Sequence, residues 1–327
     1  MKAVIAALAA NLAIALAKFA AFLVTGSASM LAEAVHSVAD TGNETLLLIG
    51  SGRSRRARTT EHPFGFGRER YFYGFVVAVM LFTVGSAFSI YDGVHKVINP
   101  GELDSPAVAY LVLAVSFVLE SFSLRTAIRE ANEVRGGRGW RQFVHLTKVP
   151  ELPVVLLEDS AALLGLFLAF LGVLLSQVTG HSQWDGAGSI GVGVLLACAA
   201  FIVGYETKSL LIGESASDEM TAQIVAAVEG GPEQYRLIHL RTSHIGPDTL
   251  LVAGKIGVAA ELTAAALANG IDATEQRIRT AVPIADTIYL EPDIYRPGLS
   301  DPSDPSVAVV ERTSARRRRL PRRRSGS

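Results

Sequence analysis

Residues 30–45, "MLAEAVHSVADTGNET", place His36, Asp40, Asn43 and Glu44 at i, i+4, i+7 and i+8. On a helix these positions share one face, with His36 and Asp40 separated by about 6 Å of rise. A second concentration of polar groups is the adjacent pair Glu158 and Asp159 in "VVLLEDSAALLG". Imidazole and carboxylates without thiols suit a first-row divalent ion. Zn²⁺ takes His nitrogen and Asp or Glu oxygen at about 2.0–2.2 Å in four-coordinate sites. A shell richer in oxygen shifts the preference toward Mn²⁺ or Fe²⁺. The single Cys198 excludes an intrachain disulfide and a cysteine-rich metal site.

The elements that must position these groups are greasy. Half of the 327 residues are hydrophobic, only 19% are charged, and the mean hydropathy is +0.34. Residues 3–25, 31–51, 72–94, 106–124, 154–178 and 188–212 form apolar stretches near or above the ~20 residues that cross a bilayer as helix. Six spans are predicted, the second the least hydrophobic because it carries Glu33, His36, Asp40, Asn43 and Glu44. The N-terminal run, "MKAVIAALAANLAIALAKFAAFLV", is too long for a signal peptide and reads as an uncleaved first span. Arg53, Arg55, Arg56, Arg58, Arg68 and Arg70 fall between the second and third spans. Arg129, Arg135, Arg138, Arg141 and Lys148 fall between the fourth and fifth. The other connections lack Lys and Arg, so the positive-inside rule puts both termini in the cytoplasm.

An ionisable group at the bilayer centre costs at least ~2.5–3.5 kcal/mol, so a concentration of them points to function. Singly, each has a structural reading. His36 and Asp40 can act as packing glue, and Glu33 and Glu44 can face an aqueous vestibule. Lys18 can snorkel or pair with an acid. Asp92 lies near the outer end of its span, and Glu120 near the inner surface, within reach of Arg125. The second and fifth spans together, each supplying ligands midway through the bilayer, favour a cation path.

After the sixth span the texture changes. "DEMTAQIVAAVEG" predicts a short helix starting after Ser217. "YRLIHLRTSHIG" and "TLLVAGKIGVAA" read as strands joined at Gly246, Pro247 and Asp248. "ELTAAALANGIDATEQRIRTAV" predicts a helix in which Asn269-Gly270 is a potential break, and "DTIYLEPDI" a third strand. The αββαβ order suits a small sheet with helices on one face, a unit that dimerisation would help. The domain plan is therefore a six-span membrane part at 1–213, a cytoplasmic α/β part at 214–296 and a disordered Arg-rich tail at 297–327. The tail's arginines, 316–319 and 322–324, suit anionic headgroups or solvent and argue for no nucleic acid.

Taken in order, "GSASMLAEAVHSVADTGNETLLLIG", "HPFGFGRERYFYGF", "LEDSAALLG" and "WDGAGSIGVGVLL" resemble the cation diffusion facilitator family of divalent-metal/proton antiporters, in particular the branch that includes the mitochondrial zinc exporter of animals. The resemblance covers the membrane part continuously. It implies a homodimer that exports Zn²⁺, with Mn²⁺, Fe²⁺ and Co²⁺ as alternatives, against an inward proton flow. It implies no prosthetic group, the cation being cargo. The family's paired ligands on the second span carry over onto His36 and Asp40. On the fifth span the pattern departs. Glu158 takes the first ligand position, but Ala162 takes the second and cannot coordinate. Asp159 swinging in, Asn43 or water completing the shell, or a three-ligand site all remain open. Of the histidine pair common in the loop between the second and third spans, His62 is present and Phe66 replaces its partner. In the cytoplasmic part Glu291 stands alone where some members bind zinc, and His239 and His244 do not match, so that part is expected to serve dimerisation.

The mechanism expected is cation entry from the cytoplasm to His36, Asp40 and Glu158, guided by acids such as Glu44, followed by rocking of the helices. Proton binding at His36 then displaces the ion, because imidazole exchanges proton for metal near neutral pH. Two charges moved against the potential cost about 4.6 kcal/mol per 100 mV, which entering protons offset. The alternative is a non-transporting metal sensor or membrane scaffold on the same fold; a transporter of organic cations ranks third. An enzyme is not expected, since G-x-S-x-G, HExxH and P-loop motifs are missing. The Ala-, Gly- and Arg-rich composition, with no transit-like leader, points to a bacterial plasma membrane.

Overall fold

The computed structural model describes residues 1–25, 28–100 and 106–294. These residues fall into two compact units, Met1–Ala57 with Arg68–Leu211, and Arg58–Gly67 with the chain from Ile212 onward. The Arg-rich stretch expected to form a disordered tail lies outside the described residues.

The first unit is all helix: α1 Lys2–Thr25, α2 Ala28–Arg53, α3 Glu69–Met80, α4 Phe88–Ile98, α5 Pro106–Arg135, the short α6 Trp140–Leu146, α7 Glu151–Thr179 and α8 Gln183–Ile212. A π-helical segment, Leu81–Ala87, joins α3 to α4 into one span. Among the described residues five helical spans are long and apolar enough to cross a membrane. The sixth long helix, α2, has 26 residues, about 39 Å at 1.5 Å per residue and enough for a ~30 Å hydrocarbon core. Its polar groups lower its hydropathy without shortening it.

Packing follows small residues. On α1 the buried stripe is Ala3, Val4, Ala7, Ala10, Ile14 and Ala15, while Ile5, Leu12, Leu16, Phe19 and Leu23 are exposed. Lipid tails are as apolar as leucine, so small side chains that let backbones approach are what hold such helices together. α1 packs on α2 and α5, α2 on α3, and α5 on α7. Within α4, Gly93 meets Gly186 of α8 so closely that a β-carbon on Gly93 would stand 2.6 Å from the Gly186 carbonyl oxygen. Lys96 bridges Asp92 at 2.8 Å and Asp185 at 3.2 Å beside that crossing. α5 runs past the predicted end of its span at 124 to Arg135. Its last turns carry Ala127 and Ala131 into the core, and Glu130 accepts a hydrogen bond from the Ala3 amide at the start of α1, at 2.5 Å.

The second unit contains α9 Asp218–Glu229, β1 Arg236–Gly246, β2 Thr249–Val258, α10 Ala264–Ala281 and β3 Ala285–Ile294. Ser217 and Thr263 cap the two helices by accepting from the Met220 and Ala266 amides. β1 and β2 pair antiparallel, β2 and β3 parallel, giving the order β1-β2-β3 with α10 as the crossover. α9 and α10 pack on each other, and Ile224, Val228, Leu250, Val252, Ile256 and Ile278 fill the core between helices and sheet. Asn269-Gly270 does not break α10. Gly270 is instead a point of close approach, because a β-carbon there would clash with the Tyr235 hydroxyl.

Candidate metal-transport site

Two antiparallel hydrogen bonds set the register of α1 against α2. Asn11 Nδ2 donates to Glu44 Oε1 at 3.0 Å, and Lys18 Nζ donates to Ser37 Oγ at 2.9 Å. Lys18 is 9% exposed, so it turns inward and does not snorkel. Asn11, Lys18, Ser37 and Glu44 thus lie on the protein-facing stripe, where a partner helix satisfies them and lipid does not.

Across the bundle, Asn43 Nδ2 of α2 donates to Glu158 Oε1 of α7 at 3.0 Å. Both side chains are buried, and Asn43 Oδ1, Glu44 Oε2 and Glu158 Oε2 have no hydrogen-bond partner. Buried oxygens without donors are costly, and three of them on α2 and α7 form an acceptor-rich surface suited to a cation. The carboxylates of Asp40, Asp159 and Glu120 are near enough for their charges to act on Glu158. Asp40 is half-buried on the same face of α2.

The adjacent carboxylates diverge. Asp159 Oδ2 accepts from Ser123 Oγ of α5 at 2.7 Å, whereas Glu158 faces α2. Successive helical residues point about 100° apart, so one residue addresses α2 and the next addresses α5. Glu120, three residues before Ser123 and so on the same side of α5, is 7% exposed. Lys18, Asp159 and Asp40 all act on its charge. Ser123, Ser37, Glu120 and Lys18 were not singled out by sequence as site groups. Their signal was positional: each polar residue sits on the small-residue stripe of its span.

His36 is placed on α2, one turn before Asp40, and its side chain lies outside the described residues. Among the described residues no three His, Cys, Asp or Glu side chains come together as a metal cluster. The secondary positions follow suit. The His62 ring stacks on Phe66, centroids 4.6 Å apart, and Glu291 pairs with Lys255 at 3.1 Å. Below the site, Arg70 of α3 grips Glu151 of α7 through Nε and Nη2 at 2.5 and 2.8 Å. Glu151 is one heptad before Glu158 on the same face of α7.

A family model described as the cation efflux transmembrane domain matches residues 4–212. The chain is 34% identical over 231 residues to the human "Proton-coupled zinc antiporter SLC30A9, mitochondrial", an alignment covering 70% of this chain and 41% of that protein. The Xenopus laevis protein of the same name is 38% identical over 225 residues, with 68% and 40% covered. "Metal tolerance protein C4" of Arabidopsis thaliana is 31% identical over 248 residues, with 75% and 54% covered. The chain therefore spans about two-fifths of the length of the animal proteins it matches.

Proposed function

The chain belongs to the cation efflux family, and from that membership we propose that it exports a divalent metal cation, Zn²⁺ first among the candidates, in exchange for protons. The observation that carries this reading is the Asn43–Glu158 bond between α2 and α7, with an unpartnered oxygen left on each residue. An oxygen-rich pair of this kind, at the level of Asp40 and one to two turns from His36, can close on a cation. We assign His36, Asp40 and Glu158 as ligands and Asn43 as the group that orients Glu158 and lends its own oxygen. Asp159, held by Ser123, is assigned to bracing α7 against α5.

Bound, the ion is held between α2 and α7. Moving those helices apart on either side exposes it to one compartment or the other. Arg70–Glu151 ties α3 to α7 on the cytoplasmic side of Glu158 and must yield, or travel with α7, when that side opens. His36 exchanges the ion for a proton, since a protonated imidazole has no lone pair for metal. The zinc antiporters named above support this choice of ion and counter-ion. The α9–β3 unit is read as a dimerisation unit, with support from Tyr289 and Ile294 exposed on the edge strand β3.

The test is flux. Purified protein in proteoliposomes enclosing a pH-sensitive dye should take up Zn²⁺ while releasing protons, and a His36→Ala, Asp40→Ala double variant should not. Wild-type flux from a correctly inserted double variant would remove the proposed site. No flux of Zn²⁺, Mn²⁺, Fe²⁺ or Co²⁺ from folded wild type would favour the sensor or scaffold.

A further inference from the structure

The span built from α3, the π segment and α4 is fastened differently on either side of that segment. Before it, Arg53 Nη1 of α2 donates to the Tyr73 hydroxyl of α3 at 2.8 Å, and Arg70 of α3 grips Glu151 of α7. After it, α4 is interlocked with α8. A β-carbon on Gly93 or on Gly186 would fall within 2.7 Å of the other residue's carbonyl oxygen, and Lys96 of α4 reaches Asp185 of α8 at 3.2 Å. α3 also touches α8, where Thr207 meets Gly74 and Ala78 meets Gly204. There a side chain rests on a glycine and can slide, whereas at Gly93 and Gly186 backbone meets backbone.

The segment in between touches both helices of the proposed site. Met80, the residue just before it, has its Cε 4.0 Å from the place of a β-carbon on Gly42, which lies between Asp40 and Asn43 of α2. Leu81 shares a buried cluster with Ala161, about one turn after Glu158 on α7, and with Leu196 and Ala199 of α8. The local chemistry suits bending. A π turn replaces the α-helical ladder with a wider one, and Gly-Ser pairs are a second common cause of kinks; Gly85-Ser86 lies inside this segment. Thr83 Oγ1 donates to the Val79 carbonyl at 2.8 Å and lies 3.5 Å from that of Met80, and Ser89 Oγ donates to the Gly85 carbonyl at 2.7 Å. Such hydroxyls keep carbonyls partnered while backbone bonds lengthen, which lipid cannot do.

We propose that Leu81–Ala87 is a hinge of the transport cycle: α3 follows α2 and α7 as they part around the ion, while α4 stays with α8. This rests on the transport reading above. A straight, rigid span could not keep both sets of contacts, because following α7 at Arg70 would pull Gly93 off Gly186. Arg70 stands 14 residues before Val84, about 21 Å along the axis, so a change of about 10° in the kink carries it by ~4 Å. Thr83, Gly85, Ser86 and Ser89 touch no ion under this proposal. They set how easily the span bends between the states that bind and release it.

The experiment pins each half of the span to α8 in turn and reads Zn²⁺ uptake into proteoliposomes, in a Cys198→Ser background that removes the one native thiol. Gly74→Cys with Thr207→Cys pins α3, since a β-carbon on Gly74 stands 3.0 Å from Thr207 Cγ2, within reach of a disulfide. Lys96→Cys with Asp185→Cys, joined by a short bis-thiol reagent, pins α4. Pinning α3 should stop uptake and reductant should restore it, whereas pinning α4 should leave uptake intact. Both bridges blocking uptake, or neither, overturns the proposal. Deletion of Val84, which returns the segment to α-helical register, tests the π geometry itself. That variant should still bind Zn²⁺ in an equilibrium titration while its turnover falls at least ~10-fold, a barrier change of ~1.4 kcal/mol. Wild-type uptake by the deletion variant overturns the assignment of the hinge to this segment. Absence of uptake by wild type removes the transport reading first, so the two failures are distinguished.

Discussion

Glu158 and Asp159 are neighbours in sequence and should behave oppositely on neutralisation. Glu158→Gln keeps an oxygen to accept from Asn43, whose bond is 3.0 Å, but removes the charge and places an amide nitrogen where an acceptor stood. Altering groups that only support metal ligands costs about 10- to 100-fold in affinity, so a proposed ligand should cost at least ~100-fold, or ~2.7 kcal/mol. Asp159→Asn leaves an oxygen to accept from Ser123, at 2.7 Å in the native protein. There a charge-assisted bond of ~1.5–3 kcal/mol becomes a neutral one of ~0.5–1.5 kcal/mol. The difference, ~1 kcal/mol, corresponds to roughly fivefold. Initial rates of Zn²⁺ uptake over a range of concentrations should therefore separate the two variants by at least ~20-fold, the ratio of these two effects. If Asp159→Asn were the more damaging, or Glu158→Gln transported normally, the assignment of α7's inward face would be wrong.

Arg70→Ala strands Glu151, whose side chain is 3% exposed, without its partner. Breaking a buried pair from one side costs ~3–5 kcal/mol, whereas Arg70→Met with Glu151→Leu should cost less. Thermal melts in detergent that rank the single variant as stable as the double would refute this. In the second unit, burial pushes the Glu233 carboxyl up, but hydrogen bonds from its own backbone amide and from Arg277 outweigh it and hold the group below its ordinary 4.5. A carboxyl depressed in the folded state contributes stability above its unfolded value and loses it as pH falls through the folded one. Protection of α9 and α10 in the full chain, read by hydrogen exchange corrected for intrinsic rate, should therefore weaken as pH falls below 4.5. Arg277→Ala should weaken it already at pH 7 by ~1.5–3 kcal/mol, because Arg277 also donates to the Ala227 carbonyl at 2.9 Å. Wild-type protection in Arg277→Ala at both pH values would show that the pair is idle.

What the sequence makes legible is what stands out against its surroundings. Acids and imidazole in apolar spans draw attention to α2 and α7 at once, and turn residues with alternating patterns outline the α9–β3 unit. Three kinds of detail are silent. Hydropathy measures depth in the membrane rather than helix length, so α5 continues through "RTAIREANEVR" after its apolar run ends. Asn-Gly is a turn signal by local preference, yet Tyr235 packed against Gly270 makes the glycine a contact inside α10. The facing of Glu158 and Asp159 depends on Ser123, a residue too common in membrane helices to signal anything alone. The π segment Leu81–Ala87 has no proline to announce it. It lies where Gly193 of α8 presses on Ser86 and Ile90, with a β-carbon on Gly193 falling 2.9 Å from the Ser86 carbonyl oxygen.

The same pairings explain how so much polarity survives at membrane depth. Three of the buried acids accept from a neutral donor on a neighbouring helix: Glu44 from Asn11, Glu158 from Asn43, Asp159 from Ser123. None of these donors uses up both oxygens of its acid, and two of the three acids keep one oxygen unpartnered. A network built only for stability would close those positions, since an open buried acceptor costs ~1–3 kcal/mol. Leaving them open makes sense where another positive species is to complete them for part of a cycle. Under the proposed function that species alternates between a metal ion and protons. Changing the group that directs Glu158 is therefore the informative perturbation. Asn43→Asp adds a charge to the pair with Glu158 and should tighten ion binding while slowing release, whereas Asn43→Leu should leave Glu158 undirected and weaken binding. The two variants moving affinity in the same direction would contradict this account of the site.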